Sequence, residues 1–595
     1  MVRPKLDRMR GGRHLWFAPS LASLLEGCAS PVLRIEFERA GHAADPTNEI
    51  GGASRPSSVM AYAMTPSPRG RLTLRRVLRM KFVRIGACRR PYNAPPGDFP
   101  LKTIKKPALS IPRTVLQEPY SKMPTDGACE AFVSTTKHII TAFFVIFNRQ
   151  TADCAGFQQE VLVNLTMKFG FYTLGCKVNQ YETQAMERLL LQRGQEIGAF
   201  EGDCDAYVVN TCSVTAVADK KSRAMLRRCR REHPQALLAV CGCYAQHAAE
   251  DLKALGVDVL GGSAGREEFV EMLLKAMNCG EKQEKVDAAL RRREFEVLPA
   301  GGLEERTRAM LKVQDGCTNF CTYCIIPYTR GPVRSAPLDV AVAQAKELAD
   351  RGYREIVVTG IEIASWGRDL PGKPELSALL AALCETVPQV RIRLGSLEPR
   401  IITREFCERI AKYPNLCPQF HLSMQSGSDS VLERMHRKYD TKRYLESVDL
   451  LNEFFPGCAV TTDMIVAFPG ETEAEFAESL AFIRRCRFAD MHIFPYSRRP
   501  GTPADKMPGQ HGNAVKEQRS REAIAVAEEL HMDYLKGLLG SVQAVLFEEN
   551  LGEYATGHAP NYCKVYVKTD ENWHNEVKNV RITGLYQDGL TGEAE

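Results

Sequence analysis

From residue 167 onward, apolar and polar positions follow two alternating rhythms. An apolar run over 169–174 reads as a strand, Gly175-Cys176 as a turn and 181–193 as a helix. A buried-type strand over 206–210 ends at Thr211-Cys212. A basic helix follows over 218–232, and a strand over 236–240 ends at Cys241-Gly242-Cys243. Strands alternating with helices imply a parallel sheet covered by helices, with ligands beyond the carboxyl ends of the strands. Residues 281–302 are polar, end in Gly301-Gly302 and read as a linker. The repeat then resumes with a helix over 340–351, a strand over 355–359, a helix over 376–387 and strands over 390–395, 420–424, 459–466 and 491–494. About six such units fit, against the eight of a closed barrel. Segments 542–548, 554–558, 563–568 and 579–583 alternate as strands without helices between them.

The fold class predicted is α/β. The expected domains are an extension over 1–166, a parallel α/β domain over 167–280, a linker over 281–302, a partial βα barrel over 303–535 and a small β-barrel over 536–595. The extension holds 15 of the 33 prolines and shows no sustained helical or strand period, so disorder is expected. Its start, basic and then apolar over 15–25, has the outline of a signal or transit peptide without a clear small-residue cleavage site. Recognisable protein begins at Met167, which points to a natural start there.

The net charge of +6 conceals an asymmetry: residues 1–166 carry 24 Lys/Arg against 12 Asp/Glu. Twenty cysteines spread over 595 residues do not form the dense framework of a small secreted domain. Free thiols suit a reducing cytoplasm. No apolar run reaches the roughly 18 residues of a membrane span.

The candidate chemistry is concentrated in Cys317-Thr-Asn-Phe-Cys321-Thr-Tyr-Cys324. Thiolates are the soft ligands that zinc and iron–sulfur clusters take. A closed zinc site asks for a fourth ligand, and a redox pair at Cys321 and Cys324 is the other alternative. Three thiols leave one iron of a [4Fe–4S] cube open for chemistry. Cys176, Cys212 and Cys243 each follow a strand, so one sheet edge collects three more thiols. That suggests a second three-cysteine cluster, the alternative being buried inert cysteines.

The Cys-x3-Cys-x2-Cys run, with Tyr323 before its last cysteine, resembles the radical S-adenosylmethionine (SAM) signature. Leu174-Gly-Cys-Lys-Val-Asn-Gln-Tyr-Glu182, Asn210-Thr-Cys-Ser-Val-Thr215 and Gly242-Cys-Tyr-Ala-Gln246 resemble the cysteine motifs of the methylthiotransferase amino-terminal domain. The resemblance covers about 167–595. It implies a partial (β/α)6 barrel, a radical SAM [4Fe–4S] cluster on Cys317, Cys321 and Cys324, and an auxiliary cluster on Cys176, Cys212 and Cys243. Cys241 is a neighbour the motif disfavours; Cys204 and Cys229 match nothing and are read as structural. The first motif is most similar to enzymes that methylthiolate carbon 2 of N6-threonylcarbamoyladenosine at tRNA position 37. In such enzymes one SAM supplies a methyl group to sulfur and a second supplies a radical. Sister enzymes acting on isopentenyladenosine or on a ribosomal-protein aspartate are the nearest rivals. An RNA-binding protein with structural metal is the rival of another class.

Strand-end residues implied for SAM are Thr359, Gly360, Glu362, Ser396, Glu398, Gln425 and Asp463, with Tyr323 in the cysteine loop; a strand-end carboxylate is equally a helix cap. Lys220, Lys221, Arg223, Arg227 and Arg228, followed by Arg230 and Arg231, form a charge run suited to a phosphate backbone. Arg434, Arg437 and Lys438 form a second basic patch, with Tyr439 either stacking on a base or packing. The implied partners are tRNA, an electron donor of flavodoxin or ferredoxin type and a sulfur source, with the chain a monomer. Residues 536–595 resemble the RNA-gripping TRAM barrel, Gly557-His-Ala-Pro-Asn-Tyr562 being like its loop. Five Lys/Arg against nine Asp/Glu suit phosphate poorly, so at most contact with the target loop is expected.

Overall fold

The computed structural model describes residues 166–302 and 307–595, together with the backbone of two strands further upstream. Those two, Val32–Phe37 and Met80–Ile85, pair antiparallel. The remaining expectations for that stretch fall outside the described residues.

The amino-terminal domain is a six-stranded parallel sheet. Its strands are β1 (Lys168–Thr173), β2 (Glu196–Gly198), β3 (Ala206–Thr211), β4 (Leu237–Gly242), β5 (Val259–Gly261) and β6 (Gln283–Lys285), in the order 2-1-3-4-5-6. Helices α1 (Lys177–Gln192), α2 (Ala216–Glu232), α3 (Cys243–His247) and α4 (Arg266–Cys279) cover it. Every residue of β3 is buried, as a central parallel strand requires. β6 lies within the stretch read as a linker. Gln-Glu-Lys lacks an apolar signature because an edge strand needs only backbone pairing, here with β5.

Six parallel strands form the central barrel: β7 (Arg308–Lys312), β8 (Glu355–Thr359), β9 (Arg391–Leu394), β10 (Gln419–His421), β11 (Ala459–Val466) and β12 (Asp490–Pro495). The first three pair with each other, as do the last three. Single parallel pairings at Ile392/Leu416 and Leu397/Leu422 join the two halves. One hydrophobic core runs from Phe169 and Tyr181 through Leu311, Ile356 and Phe420, so the first two domains share their interior.

The carboxy-terminal module is a closed five-stranded barrel: β13 (Val542–Leu551), β14 (Tyr554–His558), β15 (Lys564–Lys568), β16 (Val577–Tyr586) and β17 (Gly589–Ala594). β17, Gly-Leu-Thr-Gly-Glu-Ala, is too poor in β-formers to announce itself. The module sits on the amino ends of the central strands. Arg308 and Arg393 both hold Glu355 at 2.7 Å, Arg308 also pairs with Glu548, and Arg393 Nη1 donates to Pro560 O at 2.9 Å. The Tyr562 ring lies against both guanidiniums, 4.6 Å from Arg393 and 5.2 Å from Arg308. The loop that resembles the TRAM loop therefore faces the central barrel. No helix among the described residues is long and apolar enough to cross a membrane.

Candidate active site

The Cys317 loop leaves the carboxyl end of β7, the opposite end from the carboxy-terminal module. Gly316 makes the turn at φ +75, and a Cβ there would meet Pro332 O at 1.9 Å. Cys317 N–H donates to Gly331 O at 3.0 Å, and Cys324 N–H to Cys321 O at 3.0 Å. The far side is pinned by Thr322, whose N–H donates to Met435 O at 3.1 Å and whose hydroxyl donates to Arg434 O at 2.9 Å.

Burial, helped by Cys321 beside each, pushes Cys317 and Cys324 up to about 12. Thiols held this way stay protonated until a metal takes them as thiolates. Asn319 N–H approaches Cys317 Sγ at 3.5 Å and Arg437 Nη1 donates to Cys321 Sγ at 3.2 Å. Such donors suit a sulfur that will carry charge.

The residues implied for SAM divide. Glu362 neighbours Cys317, Arg437 and Glu398 electrostatically. Its N–H donates to Gln314 Oε1 at 2.8 Å, while its own Oε1 is buried without a hydrogen-bond partner. Burial and the Glu398 charge push its carboxyl up to about 7. An orphaned acceptor of this kind fits a cationic ligand. A Cβ on Gly360 would meet Ile363 Cγ2 at 2.8 Å, so the chain is tight there, and Thr359 is the buried end of β8. Tyr323 lies beside Arg437 and edge-on to Phe468.

Glu398 is occupied as a cap, accepting from Arg400 N–H at 3.2 Å and Arg400 Nε at 2.8 Å. Ser396 is exposed, Asp463 is turned to His421 Nε2 at 3.2 Å, and Gln425, beyond the end of β10, pairs its backbone with Met464 of β11 at φ +72.

The second triad forms at the carboxyl edge of the amino-terminal sheet. Cys176 caps the start of α1; desolvation raises its thiol above the ordinary value, with the Arg330 charge pulling the other way. Gly175 precedes it at φ +109, and a Cβ there would come within 2.8 Å of Cys212 Cβ. Cys212 follows β3 directly and Cys243 opens α3. Gly242 sits between β4 and α3 at φ +103, where a Cβ would overlap Thr211 O at 2.3 Å.

Asn179 Nδ2 laces the loops by donating to Leu174 O at 2.8 Å and Thr211 O at 3.0 Å. Burial pushes Cys212 up to about 12, with Cys243 and Cys176 as neighbouring charges. Cys241 belongs instead to the hydrophobic core. Among the described residues no three His, Cys, Asp or Glu side chains form a group able to hold a single metal ion. A four-iron cube needs its three thiolates spread around it rather than converged on one point.

Arg330 does not stand out in the sequence, yet it reaches from the segment after the first triad onto a thiol of the second. It ends α5 (Ile326–Arg330), the helix that begins just after Cys324, and is wholly buried. Its Nε donates to Cys243 Sγ at 3.3 Å and its Nη2 to Asn179 Oδ1 at 2.7 Å. Its Nη1 meets Glu182, which Arg266 and Lys312 also hold at 2.9 and 3.0 Å. Burial opposes ionisation of Glu182, but Arg330, Arg266 and Lys312 keep its carboxyl well below the usual carboxylate range. A second strut is Arg499, buried, bonded to Asp219 at 2.6 Å and to the Ser213 hydroxyl at 2.6 Å.

The basic residues divide too. Lys220, Lys221 and Arg227 are exposed on α2. Arg223 donates to Tyr244 OH at 2.7 Å, Arg228 pairs with Glu232 at 2.9 Å, and Arg230 is tied to Asp258 at 2.5 Å. In the second patch Arg434 pairs with Glu475 at 2.8 Å and Lys438 is exposed. Arg437 is a correction: part-buried, it faces Cys321 and Tyr439 rather than solvent. Tyr439 is buried and donates to Met424 O at 2.7 Å, which is packing rather than base stacking.

A partial βα barrel with a three-cysteine loop at the mouth defines the radical SAM class, and residues 311–483 match the model of the radical SAM superfamily. Residues 168–262 match that of uncharacterized protein family UPF0004. Threonylcarbamoyladenosine tRNA methylthiotransferase MtaB of Bacillus subtilis (strain 168) is 39% identical over 69% of this chain and 93% of its own length. The enzyme of the same name from Thermotoga maritima is 35% identical over 70% of this chain and 95% of its own. tRNA-2-methylthio-N(6)-dimethylallyladenosine synthase of Finegoldia magna is 32% identical over 71% of this chain and 94% of its own. The chain belongs to the radical SAM methylthiotransferase family. It is a transferase whose family implies a [4Fe–4S] cluster and SAM.

Proposed function

We propose that the enzyme methylthiolates carbon 2 of N6-threonylcarbamoyladenosine at position 37 of tRNA. The observation that carries this is a buried arginine, six residues beyond Cys324, that donates to a thiol of the other triad, in a chain 39% identical to a relative named for that substrate.

Carbon 2 of adenine bears an unreactive C–H bond, which a radical generated from SAM at a reduced [4Fe–4S] cluster is able to activate. Cys317, Cys321 and Cys324 would hold that cluster, with Arg437 donating to the Cys321 sulfur. Glu362 would take a cationic part of SAM. Cys176, Cys212 and Cys243 would hold the auxiliary cluster concerned with the inserted sulfur.

The target base must be turned out of the anticodon loop to reach the barrel mouth. Lys220, Lys221 and Arg227, exposed on the helix that follows Cys212, present the charge that an RNA backbone needs. The reading includes an electron donor of flavodoxin or ferredoxin type, a separate sulfur source and a monomeric chain.

A second reading, dimethylallyladenosine as substrate, is favoured by the 32% identity to the synthase named for that product. Nucleoside analysis of tRNA from a strain lacking the gene distinguishes them. Loss of only the methylthio-threonylcarbamoyl nucleoside supports the first reading; loss of the methylthio-dimethylallyl nucleoside refutes it.

A further inference from the structure

We propose that Arg330 is a positioning residue that sets the reduction potential of the cluster held by Cys176, Cys212 and Cys243. The inference rests on the two-cluster reading above and deepens it.

The guanidinium comes from the radical SAM loop, yet its Nε points at a sulfur of the other triad, 3.3 Å from Cys243 Sγ. Its remaining donors are committed. Nη2 serves Asn179 Oδ1 at 2.7 Å and Glu182 at 3.2 Å, and Nη1 serves Glu182 and, at 3.4 Å, Asp315. With both amino groups fixed, the direction of the Nε–H bond is fixed too. All three thiols, Cys176, Cys212 and Cys243, lie within its electrostatic reach.

The next residue serves the other triad: Gly331 O accepts the Cys317 N–H at 3.0 Å. Adjacent residues therefore hold one member of each set. Gly331 cannot shift easily, because at φ +81 it lies so close to Ala289 that a Cβ would meet Ala289 O at 2.0 Å.

The charge balance points the same way. Among the described residues, Arg266, Lys312, Arg330 and Arg334 are buried and form their ion pairs with two buried carboxylates, Glu182 and Asp315, while the half-buried Glu296 lies near Arg266. A buried surplus of positive charge is costly unless an anion sits beside it. Three thiolates on an iron–sulfur core supply that anion. A positive charge and an N–H donor on a cluster sulfur favour the reduced state and raise the potential.

The test uses the full chain with Cys317, Cys321 and Cys324 replaced by Ala, reconstituted anaerobically so that only the second triad is loaded. Iron content and the midpoint potential from an EPR redox titration are read. The parent is expected to hold about four irons per chain. Arg330→Gln is expected to keep its iron and move the midpoint to more negative potential. Arg330→Lys, which keeps the charge but loses the fork, should fall between the two. An unchanged midpoint in iron-replete Arg330→Gln overturns the inference.

If the Arg330 variants fail to hold iron, Glu182→Gln gives the answer. It removes a negative charge from beside the guanidinium, which Asn179 and Asp315 still hold, so the midpoint should rise; no movement overturns the inference. A parent that takes up no iron overturns the two-cluster reading itself, a result distinct from either.

Discussion

Arg437 Nη1 lies 3.2 Å from Cys321 Sγ, and its Nη2 donates to Ser423 O at 3.1 Å, so a side chain from a basic surface run is turned inward onto a thiol. Donors to a ligand sulfur typically matter by about 10–100-fold in metal affinity or activity. Arg437→Ala is expected to reduce SAM cleavage, measured as 5′-deoxyadenosine formed per chain, by that range. Iron bound at the second triad should not change. Arg437→Lys should recover part of the loss.

Gly242→Ala tests the turn that presents Cys243. The added methyl would overlap Thr211 O at 2.3 Å and Asn210 Oδ1 at 2.6 Å, with the backbone at φ +103. A loss of at least about 2 kcal/mol is expected from overlap and strain together, seen as a lower melting temperature and less iron at the second triad. Gly280→Ala is the control: φ is +69, nothing lies within 4 Å of the added methyl, and a cost of about 1 kcal/mol is expected from strain alone.

Glu362 gives a pH signature. Its carboxyl, raised to about 7 by burial and by Glu398, is protonated below that value and charged above it. A cation binds the charged form, so SAM affinity should rise with pH and level off above 7. By linkage, binding at pH 6 should be about tenfold weaker than at pH 8. Equilibrium dialysis with reconstituted protein measures this. In Glu362→Gln the slope should vanish; an unchanged slope assigns the effect to another group.

The exposed cations of α2 are separable from the paired ones. Replacing Lys220, Lys221 and Arg227 with Ala should weaken tRNA binding and lower the slope of log affinity against log salt by about one unit for each phosphate left without its cation. Arg230→Ala should leave that slope unchanged, because Arg230 is tied to Asp258. Filter binding over a salt series reads both.

Much of the fold was legible because its signals are local. Runs such as Ala206–Thr211 are buried along their whole length and look it, and the triad cysteines stand where such runs stop. What stayed hidden depends on distant partners. Glu182 reads as an ordinary polar position of a helix, and only the folded chain brings Lys312 and Arg330 to it. Arg437 belongs to a charge run in sequence and to a thiol in space. Glu398 looks like any strand-end carboxylate until Arg400 is seen to occupy it. The seat of the carboxy-terminal barrel is set by Arg308, Arg391 and Arg393, which sequence places among ordinary strand residues.

The Glu182 carboxylate limits how this enzyme can be dissected. Of its three counterions only Arg266 belongs to the same domain; Lys312 and Arg330 arrive from the barrel. An excised amino-terminal fragment would keep the acid and lose most of its compensation, and with it the shared interior that Tyr181 and Leu311 help fill. Grafting this half onto another member's barrel would succeed only where the recipient supplies both cations.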